Sequence, residues 1–258
     1  MHHWEVGTTF RDRVLAGERL FGCWSGLGSP LAAELAGRAG FDWVLVDLEH
    51  GAATEADLLA HLTAIEGTGA TAIVRPQSGE RLRIGRALDL GAAGVVIPRL
   101  DSVADAREAV SFLRYPPDGV RGVALLTRGA RLGAVAHGAI SGINRDIVGI
   151  VQVESTGALR DVDEIAAIDG VDVLFVGPAD LSHSLGVPGR FGEASYQAAL
   201  RSVVAACRAN GKAAGILLYD HASFAPHLEL GFSFVGLGAD ASFVSEGARA
   251  ALRDAKGS

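Results

Sequence analysis

Three ionisable side chains crowd the end of one short apolar run, where Trp43-Val44-Leu45-Val46 leads into Asp47-Leu48-Glu49-His50. A run of that length with β-branched residues, bounded by polar ones, reads as a strand buried on both faces. Imidazole titrates near neutral pH, so His50 is a candidate general base, with Asp47 and Glu49 placed to orient its ring and stabilise its protonated form. Two later runs end the same way: residues 148–153 lead to Glu154, and residues 173–177 to Pro178-Ala179-Asp180. Glu154 and Asp180 make a candidate metal pair. Two carboxylates suit a hard cation such as Mg2+ or Mn2+, which keeps waters and leaves positions open for substrate. Arg75 closes a fourth run and offers a planar, fixed charge suited to a carboxylate or an enolate oxygen. Plainer roles compete. A strand-end acid can cap a helix or pair with an arginine, a lone histidine is more often structural, and Arg75 can simply neutralise its neighbours.

The elements that would position these groups follow a regular rhythm. A short amphipathic helix is expected over residues 8–18, with Phe10, Val14 and Leu15 on one face. Strands are expected at 21–24, 43–48, 72–75, 94–98, 148–153, 173–177, 213–218 and 234–237. Helices alternate with them at 29–39, 54–66, 78–90, 102–113, 158–168, 193–210, 222–230 and 241–254, with a further short one near Ala179. Ser29-Pro30 suits an N-cap and first helical position, Thr54 reads as the cap of the next helix, and Gly211 as a C-cap. Residues 115–142 break the rhythm with Pro116-Pro117 and several glycines, and read as a long loop holding a short helix. Eight strands alternating with helices give a (β/α)8 TIM barrel, one domain over residues 1–258. An open doubly wound sheet is second, since the Gly26-Leu27-Gly28 turn lacks the third glycine of a dinucleotide fingerprint.

A barrel builds its site at the carboxyl ends of its strands. Those ends supply Trp24, then Asp47, Glu49 and His50, then Arg75, Pro98 with Arg99, Gln152 with Glu154, and Gly177 to Asp180. The opposite ends give mostly Phe, Asp42, Thr71, Gly94, Asp172 and Lys212, no comparable set. Gly236 and Gly238 could cradle a phosphate or merely give packing room.

Composition narrows the chemistry. The 258 residues are 49% hydrophobic, ample for a large core without a metal staple, and the net charge of -7 argues against a nucleic-acid partner. Cys23 and Cys207 form no metal-ligand spacing or disulfide framework and read as reduced, mostly buried thiols of a cytoplasmic protein. Residues 1–13 lack a signal-peptide core, and no apolar stretch is long enough to span a membrane. Of 23 basic residues only Lys212 and Lys256 are lysines. Schiff-base catalysis needs a lysine amine inside the site. Neither is well placed, so carbonyl activation is assigned to a metal acting as Lewis acid.

These motifs also carry a resemblance. The segments Phe41-Asp42-Trp43-Val44-Leu45-Val46-Asp47-Leu48-Glu49-His50-Gly51, Val74-Arg75-Pro76, Arg114-Tyr115-Pro116-Pro117 with Gly119 and Arg121-Gly122, Val151-Gln152-Val153-Glu154-Ser155 and Gly177-Pro178-Ala179-Asp180-Leu181-Ser182 occur in this order. Over about residues 22–240 the chain resembles the HpcH/HpaI aldolase/citrate lyase family, on the side of the class II pyruvate aldolases. The resemblance implies a barrel of the phosphoenolpyruvate/pyruvate-domain type and cleavage of 4-hydroxy-2-oxo acids to pyruvate, or a related 2-oxo acid such as hydroxypyruvate, and an aldehyde. It implies Glu154 and Asp180 as ligands of Mg2+, Mn2+ or Co2+, His50 as water-assisted base, and Arg75 as holder of the pyruvyl oxygen. Gln152 would line the pocket with Trp24, and the backbone at Gly177, Pro178 and Ala179 would touch the pyruvate carboxylate. It further implies a homo-hexamer, a trimer of dimers, in which Asp89 reaches the base of a neighbouring subunit. An arginine after Arg121-Gly122 also reaches the site; Arg128 fits that spacing best and Arg131 is close. No nucleotide cofactor is expected. Leu48 and residues 124–133 depart from the pattern and bear on the aldehyde half. A CoA-thioester lyase of the same superfamily and a noncatalytic metabolite-binding barrel are the alternatives.

Overall fold

The computed structural model describes residues 8–257. Its eight strands are β1 (Leu20–Ser25), β2 (Trp43–Asp47), β3 (Thr71–Arg75), β4 (Gly94–Ile97), β5 (Val148–Val153), β6 (Val173–Val176), β7 (Ala213–Leu217) and β8 (Phe234–Ala239). Each pairs in parallel with the next, and β8 pairs with β1, so the sheet closes into a barrel. Every expected strand is present, with ends shifted by at most two residues. The helices are α1 (Phe10–Leu15), α2 (Pro30–Arg38), α3 (Leu58–Glu66), α4 (Arg81–Asp89), α5 (Val103–Ser111), α6 (Thr156–Arg160), α7 (Val162–Ala166), α8 (Pro178–Ser184), α9 (Ala194–Ala209), α10 (Phe224–Leu230) and α11 (Asp240–Lys256).

Strands apolar on both faces form here because both faces are covered. Residues pointing outward, such as Val44, Val46, Val74, Val95 and Ile97, pack into the layer under the helices. Inward-pointing Trp24, Trp43, Leu45, Ile73, Val96, Ile150, Phe175 and Phe234 fill the barrel. The Trp43 ring stacks on Phe234 with centroids 4.4 Å apart, and Trp24 meets Trp43 edge-on at 5.7 Å. A side chain at Gly22 would place its Cβ 1.9 Å from the Trp43 ring, so the glycine is a condition of that packing. Gly236 likewise makes room for Leu217 and Trp24; of its two roles foreseen above, packing is the one the neighbours support.

Local signals set some helix ends and not others; the helix expected from Ser78 starts at Arg81. The Ser29 hydroxyl accepts the Ala32 N–H with Pro30 in the first turn, as expected. Thr54 does not cap a helix; its N–H and hydroxyl both donate to the Asp57 carboxylate at 2.8 Å, forming a turn, and α3 starts only at Leu58. The helix expected over 158–168 is broken at Asp161 into α6 and α7.

Between α5 and β5 the chain makes its long excursion, with two 3-10 helices at Arg128–Gly133 and His137–Asp146. A connection from a helix back to a strand lies at the amino ends of the strands, so this excursion covers the mouth opposite the carboxyl ends. Asn144 pins it. Its side chain accepts from the Tyr115 N–H at 2.8 Å and donates to the Tyr115 carbonyl at 2.9 Å.

The amino-end mouth does hold a charged set, which the strand-end reading undervalued, but it is structural. Asp172 is fully buried and accepts two bonds from Arg11 of α1, at 3.0 and 2.8 Å, and one from the Gly149 N–H at 2.9 Å. Arg114 approaches from the other side at 3.4 Å and also donates to the Ile147 carbonyl at 2.7 Å. The cluster ties α1, the excursion and two strands together under the barrel. Asp172→Ala is expected to cost about 3–5 kcal/mol in urea unfolding, because it strands the buried Arg114 charge.

Both cysteines are buried, and burial pushes each thiol up to about 12. No helix among the described residues is long and apolar enough to cross a membrane.

Candidate active site

Register brings the expected residues together at the carboxyl-end mouth. Asp47 and Arg75 are lateral partners at the ends of β2 and β3. The Arg75 Nε and Nη2 donate to the two Asp47 oxygens at 2.9 and 2.7 Å, a bidentate fork. Its remaining nitrogen, Nη1, lies 3.2 Å from the Glu49 carboxylate and 3.4 Å from the Gln152 side-chain oxygen. Gln152 then donates from Nε2 to Glu154 Oε2 at 2.8 Å. One chain of polar contacts thus runs from β2 to β5. Trp24 forms its floor, with the Arg75 guanidinium 5.8 Å from the ring centroid.

Burial works against the Arg75 charge, yet Asp47, Glu49 and Glu154 outweigh it and hold the guanidinium above its ordinary value. Arg75 is 8% exposed. Replacing it with Met leaves Asp47 buried without its counter-charge, so Arg75→Met is expected to lower stability by about 3–5 kcal/mol in denaturant titration. Unchanged stability would show that Asp47 is solvated after all.

His50 stands at the edge of this network. Asp47 Oδ1 accepts the backbone N–H of Glu49 at 3.1 Å and of His50 at 3.3 Å, which shapes the turn after β2. Gly51 completes it, since a Cβ there would meet the Asp47 carbonyl at 2.2 Å. The ring is 69% exposed, and its Nε2 is 3.9 Å from the Glu49 carboxylate, beyond hydrogen-bond reach.

Glu154 and Asp180 are neighbours that repel. Burial raises the Glu154 carboxyl above the usual carboxylate range, and the charges of Asp180 and Glu49 push the same way, against the Arg99 N–H and Arg75. Asp180 is exposed in the first turn of α8. Among the described residues no group of three or more His, Cys, Asp or Glu is disposed to hold a metal ion. The pair still fits a hard cation that keeps most of its waters. Both donors are carboxylate oxygens, and a cation between them relieves the repulsion Glu154 carries.

Asp89 and Arg128 lie elsewhere in the protomer. Asp89 ends α4 and pairs with Arg121 at 2.9 Å. Arg128 donates to the Leu90 carbonyl at 3.1 Å and to Glu66 at 2.7 Å, and Arg131 reaches Asp146 at 3.0 Å. All three sit at the amino-end mouth, so within one chain none can approach His50. A cavity of about 1090 Å³ opens there, lined by Glu66, Arg128 and Arg131 among others, away from the acids and histidine.

Two residues at the carboxyl-end mouth escaped the sequence reading. Asp240, buried at the start of α11, accepts from the N–H groups of Gly26 at 2.9 Å and Leu27 at 3.2 Å and from the Ser25 hydroxyl at 3.2 Å, fixing the turn beyond Trp24. Tyr219, two residues past β7, is exposed and lies within the field of Arg75 and Asp47. Tyr219 was findable by extending the strand-end reading to β7; Asp240 was not, because its partners are more than 200 residues away.

Fold and site together define a barrel enzyme with its chemistry at the carboxyl ends of the strands. The model of the HpcH/HpaI aldolase/citrate lyase family matches residues 20–246, and the chain belongs to that family. It is 41% identical to the hydroxypyruvate/pyruvate aldolase of Pseudomonas aeruginosa, over 93% of this chain and 90% of that one. It is 40% identical to the 2-keto-3-deoxy-L-rhamnonate aldolase of Klebsiella pneumoniae, over 91% and 88%. The crystal structure of an HpcH/HpaI aldolase/citrate lyase family protein from Burkholderia cenocepacia superposes with a TM-score of 0.91 at 36% identity, covering 97% of this chain and all of that one. The protein is an aldolase, a carbon–carbon lyase.

Proposed function

We propose that the protein is a divalent-metal-dependent aldolase that reversibly cleaves 4-hydroxy-2-oxo acids to pyruvate, or a related 2-oxo acid such as hydroxypyruvate, and an aldehyde. The observation that carries this reading is the buried polar chain from Asp47 through Arg75 and Gln152 to Glu154. It fixes a positive charge beside Glu154, with His50 at its edge and Asp180 acting on Glu154 in the same mouth. The names of the relatives from Pseudomonas aeruginosa and Klebsiella pneumoniae support the same chemistry.

Glu154 and Asp180 would hold Mg2+, Mn2+ or Co2+. When bound, the ion supplies Lewis-acid polarisation of the 2-oxo acid. The backbone at Gly177, Pro178 and Ala179 receives the pyruvyl carboxylate, and Trp24 and Gln152 wall the pocket. Arg75, held rigid by Asp47, presents its charge to the oxygen that becomes the enolate. His50 takes the proton of the 4-hydroxyl as the bond between C3 and C4 breaks, and a proton delivered to C3 of the enolate then completes the 2-oxo acid; the reverse direction retraces both transfers. Glu49 and Asp47 steady the imidazolium that results. No lysine amine takes part.

Asp89 and Arg128 enter this scheme only from another copy. That copy would belong to a homo-hexamer, a trimer of dimers, in which the amino-end mouth of one protomer approaches the His50 of another. The partners are otherwise small molecules, without nucleic acid or membrane, in the cytoplasm.

Incubation with pyruvate or hydroxypyruvate and short aldehydes, in the presence of Mn2+ or Mg2+, tests the reading directly. The expected products are 4-hydroxy-2-oxo acids identified by mass spectrometry. Turnover that required acetyl-CoA would replace it with a thioester lyase, and binding without products would leave a metabolite-binding barrel.

A further inference from the structure

Among the described residues, three non-glycine residues hold a positive φ, and Arg99, at +48°, is the one at the carboxyl-end mouth. Such a backbone costs an L-residue energy that glycine avoids, and it persists where the surroundings or a function require it. The conformation turns the Arg99 N–H onto Glu154 Oε1 at 2.8 Å. Glycine would make that bond without strain. An arginine held there leaves its side chain available for a separate use.

That side chain is uncommitted. Arg99 is exposed, and among the described residues its guanidinium makes no ion pair or hydrogen bond, whereas Arg75 spends its nitrogens on Asp47, Glu49 and Gln152. The mouth is otherwise acidic, with Asp47, Glu49, Glu154 and Asp180 around it. A substrate bearing a second carboxylate on its aldehyde half would be repelled unless a free cation met it.

The geometry points to Arg99 as a specificity-determining residue that receives a carboxylate on the aldehyde half of the substrate, making the protein selective for 4-hydroxy-2-oxo diacids, whose aldehyde product is itself an acid. Its Cα is anchored beside the acid pair that would hold the 2-oxo end, and its long side chain extends from there to the solvent side, where the aldehyde half must lie. A planar guanidinium pairs a carboxylate through two parallel hydrogen bonds.

This assignment rests on the aldolase reading, and the test separates the two. The full-length protein, with Mg2+ present, is titrated calorimetrically with 2-oxoadipate and with 2-oxohexanoate, which share a 2-oxo acid end and chain length but differ in the distal carboxylate. The wild type is expected to prefer the diacid by about tenfold. Arg99→Gly, which keeps the backbone conformation and its bond to Glu154, is expected to bring the two affinities level, as is Arg99→Met. Arg99→Lys, which keeps the charge without the fork, should retain part of the preference. A wild type without preference, or a preference that survives Arg99→Gly, overturns the assignment while leaving the aldolase reading intact. Failure of both ligands to bind overturns both.

Discussion

Removal of divalent cations by a chelator is expected to abolish aldol cleavage, and Mg2+, Mn2+ or Co2+ to restore it. The protein alone has little else with which to activate a ketone. Its two lysines cannot form an imine in the site: Lys212 precedes β7 at the amino-end mouth, and Lys256 closes α11. Arg75 is the charged donor in place, and much of its field is already absorbed by Asp47 and Glu49. Glu154→Gln gives the matching genetic result. The amide keeps the shape but removes the charge that, with Asp180, makes the pair attractive to a cation, so the cation concentration needed for half-maximal rate should rise steeply. Full activity after exhaustive chelation, checked by elemental analysis of the same sample, would defeat the metal-dependent reading.

The second large effect is expected from His50→Ala, which should slow turnover by roughly 10²–10⁴ while cation binding persists. The separation follows from geometry. His50 contacts neither Glu154 nor Asp180; its nearest acid is Glu49, at 3.9 Å. An imidazole that exposed and that loosely paired has a nitrogen free for a substrate proton. The check is kcat as a function of pH in the presence of saturating Mn2+. Across that range the variant's rate should stay far below that of the wild type. A rate equal to wild type would move the proton transfer to another residue, and Tyr219, within the field of Arg75 and Asp47, is the next to substitute.

What could be read from the sequence was what depends on local pattern. Continuous β-branched runs with charged residues at their ends gave all eight strands and placed Asp47, His50, Arg75, Gln152, Glu154 and Asp180 at one mouth, because chain direction in a parallel barrel fixes which end is which. Contacts between distant residues were out of reach. Nothing near Asp172 in the sequence announces Arg11, and nothing near Asp240 announces the turn after β1. Thr54 misled for a related reason. A threonine before an apolar run resembles a cap, but here Asp57 competes for its hydroxyl and N–H, and the helix waits until Leu58. Asp89 and Arg128 show a third limit. Family resemblance offered Asp89 from a neighbouring subunit, and within one protomer the fold keeps both residues at the far mouth.

The rings packed beneath Arg75 have a kinetic consequence. Trp24, Trp43, Phe175 and Phe234 stop the barrel as a cork stops a bottle, and the Arg11–Asp172 clasp seals its base. Traffic therefore has a single doorway. On the proposed reading the 2-oxo acid fragment lies deepest, so the aldehyde would depart first and the retained fragment would compete with the next substrate for the same seat.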